Sequence, residues 1–284
     1  MRPLIRWTMG NAIHQGLLAL RESVISAIDC LGKDNFRWLI CSNATESHCV
    51  RFIEEIAAIH GIEIRLSKRS EFPLDSVMVP SGRTREASGS FWKICPPRLA
   101  MDTHEIILDN DVIVRKRFSE IDEFLASDKT LVLEEDTSYH GRYFFLFNPD
   151  EKFNSGILGY PPGYDMQQEI CKYWRELGAF KVLNGGGDEQ GLVTYTILQH
   201  PHIVIPKEKI VQVFAEGKCV HAVNRVYWDK KYKCWTHGFK QIEKVHYEVT
   251  GKEEGFHFCE ANRLQHGSFE SYLGFKQKAK RFLM

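Results

Sequence analysis

The stretch of sequence that decides the fold reads HEIILDNDVIV and occupies residues 104–114. Three apolar residues at 106–108 run directly into an acidic turn, and a second apolar run follows at 112–114. Short apolar runs that stop at polar residues are typical of buried strands that end at a functional edge of a sheet. We therefore predict a central strand here, with its carboxyl end at Asp109.

Two carboxylates, Asp109 and Asp111, stand two residues apart in this turn. In extended backbone, side chains at positions i and i+2 point to the same side of the chain, so both can approach one hard cation. Mn²⁺ and Mg²⁺ are the ions that such oxygen ligands favour. A solvated turn that closes the strand is the alternative interpretation, because Asp-x-Asp pairs also occur by chance.

Apolar runs suited to strands alternate with helical patterns from residue 4 to about residue 115. This alternation predicts βαβ units around a mostly parallel sheet, and open sheets of this kind bind ligands at the carboxyl ends of their strands. The predicted strands are 4–9, 36–41 and 62–66, and the predicted helices are 15–31 and 47–60.

The sequence beyond this half changes character. A polar stretch at 68–90 predicts a loop, and a helix near 91–94 should be broken by Pro96 and Pro97. No internal repeat or low-complexity linker is visible, so we expect a single domain whose second half is mixed α and β. That half has strand-like pieces at 130–133, 143–147 and 156–160, helical patterns at 166–177 and 188–198, and β-rich segments to about residue 260.

Composition excludes several classes of protein. The 37 basic residues equal the 37 acidic residues, so no overall charge draws the chain to nucleic acid or to an anionic membrane. We expect neither a signal peptide nor a membrane-spanning helix, since no run of apolar residues is long enough. The eight cysteines form no CxxC pair, which favours reduced thiols in a cytoplasmic protein.

Two further polar segments lie in the second half. Asn154 opens an apolar strand and precedes a serine and a glycine, which suggests a polar side chain held where a ligand approaches the backbone; a turn-capping role is the alternative. Three glycines at 185–187 precede Asp188, which we expect to cap a helix with Glu189 and Gln190 in its first turn. The glycines indicate close approach of a ligand or a flexible gate.

Together these segments resemble the glycosyltransferases of the GT-A fold, especially the group that contains glycogenin and the bacterial lipooligosaccharide galactosyltransferases, as in glycosyltransferase family 8. The segments that match are LDNDVIV at 108–114, FNSGILG at 153–159 and GGGDEQGL at 185–192, in the order of that group. The resemblance implies a Rossmann-like, mostly parallel α/β sheet flanked by helices, with a mixed acceptor-side half. It also implies transfer of a hexose from a UDP-sugar to a saccharide or glycolipid hydroxyl, with retention of configuration.

The same resemblance assigns residues around the metal and the sugar. Asp109 and Asp111 would be metal ligands, with Asp109 and Asn110 also facing the nucleotide. By resemblance, the residues facing the transferred sugar and the acceptor would be Asn154, Asp188, Glu189 and Gln190. DEQ replaces the usual DQ of the group, and a Glu189 that acted as a base would instead give inversion.

A histidine near the C-terminus completes the metal site in that group, from an HFxGxxK motif. His257 is followed by Phe258, but Glu260 stands in place of the glycine. His246 is the competing residue, with Gly251 and Lys252 behind it. Motif similarity favours His257.

Nucleotide contacts are expected in the first half. Thr8, Gly10 and Asn11 lie between the first strand and the first helix, where a parallel sheet places a nucleotide, and are assigned to the base and ribose. Arg98, ahead of the acidic strand, is assigned to a phosphate or uracil contact; a surface arginine is the alternative.

The expected domain, 1–284, thus divides into three parts. Residues 1–115 form the nucleotide-sugar half, residues 116–265 the acceptor half, and residues 266–284 a basic C-terminal helix. That helix could rest on the inner face of a membrane, although a packed terminal helix is favoured. Two other functions stay open: a non-catalytic carbohydrate-binding protein of the same fold, and a sugar nucleotidyltransferase, for which the glycines after the first strand are too sparse.

Overall fold

A computed structural model of the chain describes residues 1–12, 14–66, 98–110, 112–114, 116–134, 140–148, 150–177, 183, 186–206, 209–213, 226–229, 234–237 and 255–258. Only the backbone is described for residues 14, 15, 18 and 186, for 210–213 and for the last three segments.

Twelve strands and five α-helices make up the described secondary structure. The strands are β1 (Leu4–Met9), β2 (Arg37–Ser42), β3 (Glu63–Leu66), β4 (Glu105–Leu108), β5 (Val112–Val114), β6 (Thr130–Glu134), β7 (Phe153–Tyr160), β8 (His202–Ile205), β9 (Ile210–Val213), β10 (Val226–Asp229), β11 (Cys234–His237) and β12 (Gly255–Phe258). The helices are α1 (His14–Leu31), α2 (Ser47–His60), α3 (Ser119–Leu125), α4 (Met166–Leu177) and α5 (Gly186–Leu198), with 3-10 helices at Lys33–Asn35 and Gly141–Leu146.

The main sheet has seven strands in the order β3-β2-β1-β4-β7-β6-β8. Strand β7 is antiparallel to both of its neighbours, β4 and β6, and the remaining pairs are parallel. The start of β7 therefore lies at the same edge of the sheet as the carboxyl ends of β4 and β6. Two smaller sheets have the orders β5-β12-β9 and β10-β11.

Alternation of side chains along each strand gives the main sheet two buried faces. Trp7, Ile106 and Ile157 belong to the face that packs against α1, α2 and α3, whereas Ile107 and Leu158 belong to the face covered by α4 and α5. The indole Nε1–H of Trp7 donates to Ser23 Oγ at 2.9 Å, so even this buried aromatic has its polar group satisfied. The sheet is thus buried between helical layers, as expected of an α/β fold.

The predicted fold class, a mostly parallel α/β sheet flanked by helices, is confirmed. The predicted bounds of α2 and α4 match the structure, and β4 is the fully buried fourth strand of seven. The strand predicted at 143–147 is wrong, because Gly141–Leu146 forms a 3-10 helix. The predicted loop at 68–90, the helix near 91–94 and the C-terminal helix at 266–284 lie outside the described residues.

Membrane and redox predictions can be compared with the described part of the chain. None of its helices is long and apolar enough to cross a membrane. Cysteines 30, 41, 49 and 171 are free thiols there, and Cys41 and Cys49 are buried.

A buried ion pair fixes the amino-terminal edge of the main sheet. Arg6 on β1 contacts Glu105 on β4, and both side chains are fully buried. The second carboxylate oxygen of Glu105 accepts the backbone N–H groups of Leu99 and Ala100, at 2.8 and 2.7 Å. Glu105 therefore ties the segment that leads into β4 to the centre of the sheet.

We expect Glu105→Ala to lower the free energy of unfolding by about 3 to 5 kcal/mol, because it leaves the Arg6 cation buried without its partner. Adding Arg6→Met removes that cation, so the double variant should lose less stability than the sum of the two single variants. Urea unfolding of the four proteins measures this coupling. Strictly additive losses would contradict the interpretation.

Candidate active site

The acidic turn after β4 lies directly against the start of β7. The backbone N–H of Asp109 donates to Gly156 O at 2.8 Å, and Val112 N–H closes the turn on Asp109 O at 3.1 Å. Ser23 Oγ on α1 lies 3.4 Å from the same carbonyl oxygen. The Asp109 side chain is half-buried, and Asp111 lies outside the described residues. This backbone pairing fixes the position of Asp109 at the carboxyl edge of the sheet.

The Asn154–Gly156 segment of β7 links the turn to α5. Asn154 is buried, and its Oδ1 accepts the N–H of Gly156 at 2.6 Å. Ser155 Oγ lies 3.3 Å from Gln190 Oε1 in the first turns of α5. The predicted sugar-facing residues Asn154 and Gln190 therefore lie on neighbouring elements beside Asp109.

Asp188 is held by Arg142 of the 3-10 helix Gly141–Leu146. Its Oδ1 accepts the backbone N–H of Arg142, and its Oδ2 accepts the guanidinium Nε–H, both at 2.7 Å. The carboxylate is 2% exposed and the guanidinium side chain 39%. Helix α5 begins at Gly186, so Asp188 is its third residue, and the predicted N-cap role is corrected to this cross-element ion pair.

Two glycines allow the 3-10 helix to approach α5 this closely. A Cβ atom on Gly191 would lie 2.3 Å from His140 O, and one on Gly141 would lie 2.4 Å from the backbone nitrogen of Asp188. Gly141 also has a φ of 56°, a left-handed conformation that favours glycine. Tyr143 is buried at this contact, and its burial, together with the charge of Asp188, raises the pKa of its hydroxyl to about 12.

Glu189 follows Asp188 in α5 and is almost completely buried, with 3% of its surface exposed. Its charge is close enough to contribute to the raised pKa of Tyr160, which is mainly an effect of burial. A general base must reach the proton that it removes. This burial leaves Glu189 little surface through which to contact an acceptor hydroxyl.

The turn between β1 and α1 adjoins the acidic turn. Asn110 Nδ2 lies 3.5 Å from Met9 Sδ and 3.4 Å from Gly16 O, so its side chain rests on this turn. Thr8 is half-buried, and Gly10 is buried. The turn therefore lies next to Asn110 at the carboxyl edge of the sheet, and its contacts with a nucleotide stay a prediction.

Asn11 connects this turn to the loop before α2. Its Oδ1 accepts the backbone N–H groups of Thr45 and Glu46 at 2.7 and 3.0 Å, and its Nδ2 donates to Thr45 Oγ1 at 2.9 Å. The side chain thus has an evident structural role in joining two loops at the carboxyl edge.

Arg98 lies at the opposite edge of the sheet. Its guanidinium donates to four backbone carbonyl groups, those of Ala100, Thr103, Pro161 and Tyr164. Thr103 precedes β4 and Pro161 follows β7, so this cluster surrounds the end of the sheet away from Asp109. The geometry counts against the predicted phosphate or uracil contact and makes Arg98 a structural cross-link.

The backbone register places His257, one of the two predicted histidines, near the acidic turn. Strand β12 pairs antiparallel with β5, and His257 stands opposite Val112, the residue that follows Asp111. Directly opposed residues in an antiparallel pair have Cα atoms about 4.5 to 5.5 Å apart. His257 is therefore a neighbour of the acidic turn, whereas His246 lies outside the described residues.

Within the part of the chain whose side chains are described, one group of three possible metal ligands comes together elsewhere, Glu46, His48 and Cys49. It stands at the N-terminal end of α2, where the helix dipole favours anions over cations. Its presence does not test the ligands predicted from the sequence.

Sequence reasoning missed Arg142 and Ser155. Arg142 stands 46 positions before Asp188, and no local pattern indicates that such distant residues pair. Ser155 could have been found, since it lies inside the FNSG segment next to Asn154.

The fold is shared with solved glycosyltransferases. The chain superposes on the galactosyltransferase LgtC, in complex with donor and acceptor sugar analogues, with a TM-score of 0.57 and 11% identity, over 98% of this chain and 95% of that one. Mouse xyloside xylosyltransferase 1 gives 0.54 and 14% identity, over 90% and 96%. The glycosyltransferase GlyE of Streptococcus pneumoniae gives 0.52 and 9% identity, over 97% and 60%. The chain therefore has the GT-A glycosyltransferase fold.

Sequence comparison adds no closer assignment. No family model matches the chain, and none of the curated proteins compared with it matches either.

We expect Gly191→Ala to lower the free energy of unfolding by about 1 to 3 kcal/mol, although alanine is the better helix former, because the new methyl group would overlap the His140 carbonyl. Gly16→Ala in α1 is the matched control, with its Cβ 3.2 Å from the Ala12 methyl group and therefore much less crowded. Denaturant unfolding compares the two. Equal stability of both variants would refute the close approach.

His140 should make stability depend on pH. Its Nε2 lies 2.9 Å from Phe153 O, and its ring stacks on Phe147. Burial lowers the pKa of His140 below its ordinary value of 6.5, although the bond to Phe153 opposes this shift. As the pH falls through that ordinary value, the unfolded chain binds a proton first, so stability that is present above it is lost below it.

The test is urea unfolding of the native protein and His140→Gln at pH 7.5 and 5.5, two values on either side of the ordinary histidine pKa of about 6.5. Glutamine keeps a donor for Phe153 O and does not titrate, so the loss of stability on acidification should be smaller in the variant. An identical loss in both proteins would exclude His140 as the cause.

Proposed function

We propose that this chain is a divalent-metal-dependent glycosyltransferase that moves a hexose from a UDP-sugar to a hydroxyl of a saccharide or glycolipid. The observation that carries the proposal is the meeting of three polar segments at one edge of the sheet. Asp109 bonds to Gly156 through the backbone, and Ser155 next to it contacts Gln190. In open α/β sheets ligands bind at the carboxyl ends of the strands, so the clustering of these polar segments at this edge supports a binding site there.

The proposed metal ligands are Asp109, Asp111 and His257. Their chemistry fits Mn²⁺ or Mg²⁺, which take carboxylate oxygens readily, and Mn²⁺ also accepts imidazole. The half-buried Asp109 side chain and the pairing of His257 opposite Val112 support this set, and motif similarity is the reason for choosing His257 over His246. When bound, the cation would neutralise the donor diphosphate and stabilise the leaving nucleoside diphosphate.

The remaining residues would hold the donor. Thr8 and Gly10 would lie against the base and ribose, with Asn11 shaping that surface through its bonds to Thr45 and Glu46. Asn110 would contribute to the nucleotide side. Such positioning lowers the barrier by holding the reacting atoms close together before reaction.

On the sugar side, Asn154 and Gln190 would place amide groups near the transferred hexose. The burial of Glu189 and the ion pair of Asp188 with Arg142 argue against either carboxylate as a freely approaching base. This supports retention of configuration, the outcome implied by the resemblance to the glycogenin group. Cytoplasmic location and contact of residues 266–284 with the inner face of a membrane stay predictions.

A second candidate is a non-catalytic protein that binds nucleotide-sugars or carbohydrates through the same edge. Arg142 binds both carboxylate oxygens of Asp188. If transfer requires that carboxylate, its ion pair favours a binding protein over an enzyme. Turnover separates the two functions, because a binding protein would retain affinity for UDP with metal but would not release UDP from a UDP-sugar.

We expect UDP with Mn²⁺ to raise the melting temperature, and Mn²⁺ to stimulate slow hydrolysis of a UDP-hexose. Asp111→Ala should abolish both effects, because the site loses one of its two carboxylate ligands and, without the cation, Asp109 repels the diphosphate. The measurements are a thermal shift with a panel of UDP-, GDP- and CMP-sugars and an assay of released UDP.

Paired histidine variants give the control. His257→Ala should weaken Mn²⁺ binding by about tenfold or more, on the scale of a lost metal contact, and His246→Ala should leave it unchanged. The reverse order would exchange the two histidines. If no sugar nucleotide gives a metal-dependent shift, the proposed function fails.

A further inference from the structure

Two large aromatic side chains are exposed beside the candidate active site. Phe144 and Phe145 are 70% and 55% exposed, and their rings meet edge to face with centroids 6.2 Å apart. Both belong to the 3-10 helix Gly141–Leu146. Exposed aromatic pairs next to a polar site are more often part of a binding surface than scattered single apolar residues are.

The geometry of the 3-10 helix places Phe145 on the same side as Arg142. Side chains three residues apart eclipse each other in such a helix. Tyr143 is buried and packs with α5, so its side of the helix faces the core. Arg142 and Phe145 share another side, and Arg142 binds Asp188 at the start of α5. The exposed Phe145 ring therefore lies on the same side of the 3-10 helix as the Arg142 guanidinium, which contacts α5 through Asp188.

The charge of this surface narrows the choice of ligand. The Arg142 guanidinium is 39% exposed, and the buried carboxylate of Asp188 balances its charge. An anionic lipid headgroup would find no uncompensated cation in this pair, and covering it with lipid chains would cost desolvation. A neutral ligand with hydroxyl groups on one side and C–H groups on another would suit both the Arg142 guanidinium and the exposed phenyl rings.

We infer that Arg142 and Phe145, with Phe144 beside them, form the subsite that binds the saccharide acceptor. The phenyl rings would stack on the C–H face of a pyranose, an apolar surface that the negative face of an aromatic ring attracts. The partly exposed guanidinium would donate to ring hydroxyls and set the orientation. This inference rests on the proposed function, and it assigns the acceptor side of the site to the 3-10 helix.

The test uses the full chain with UDP and Mn²⁺ present, and methyl β-galactoside, methyl β-glucoside and lactose as probes. Saturation-transfer NMR should show the strongest signals from C–H protons on one face of a pyranose. Phe145→Ala should weaken binding about tenfold, the size of one lost aromatic contact, and Phe144→Ala should weaken it as well. Phe145→Tyr, which keeps the aromatic ring, should bind the probes about as well as the native protein does.

Ile59→Ala is the matched control, because Ile59 is a similarly exposed apolar residue on α2. It should leave saccharide binding unchanged. All of these variants should keep the thermal shift with UDP and Mn²⁺. This readout separates the proposed function from the acceptor subsite, because the absence of the shift in the native protein refutes the proposed function. Binding of a probe that Phe145→Ala leaves intact refutes the acceptor subsite.

Two further results would also overturn it. One is the failure of every probe to bind when UDP and Mn²⁺ do bind. The other is a loss in Phe145→Ala of binding to mixed phosphatidylcholine–phosphatidylglycerol vesicles without any change in saccharide binding, which would make the rings a membrane contact.

Discussion

The reversed direction of β7 is the constraint on which the candidate site depends. Because β7 runs against β4, its first residues arrive at the edge where β4 ends, and Asp109 N–H can bond to Gly156 O. In a wholly parallel sheet the start of this strand would lie at the opposite edge, far from the acidic turn. A wholly parallel sheet would have only the loops that follow its strands at this edge. Because β7 is antiparallel, its first residues lie there as well.

The two edges of the sheet carry polar groups in different environments. At the amino-terminal edge, Arg6, Glu105 and Arg98 are buried or partly buried and are occupied by each other or by backbone groups. At the carboxyl edge, half-buried polar side chains surround the turn after β4. The separation has a physical basis, since an arginine saturated by four carbonyl groups stabilises loops well but has little capacity left for a ligand.

Much of the fold could be predicted from periodicity, because α2 and α4 are amphipathic and the apolar runs of β1 and β4 are short and bounded. The prediction for 143–147 was wrong because a run of aromatic residues favours a strand. In the structure the segment forms a 3-10 helix that lies close to α5, where Gly141 faces Asp188 and Gly191 faces His140. For the candidate site, motifs indicated Asp109, Asn154 and Gln190, which the structure places on neighbouring elements. They could not locate Arg142, nor show that Arg98 faces the other edge, because both facts depend on contacts between distant segments.

The pairing of β12 with β5 has a consequence for how the protein is made. Residues 105–108 and 153–160 can meet once the first part of the chain has left the ribosome, so the polar edge around Asp109 can form early. Strand β12, which brings His257 beside that edge, is synthesised much later and must close a very long loop. On the proposed ligand set of Asp109, Asp111 and His257, a nascent chain would therefore hold only part of the metal site until β12 has been synthesised.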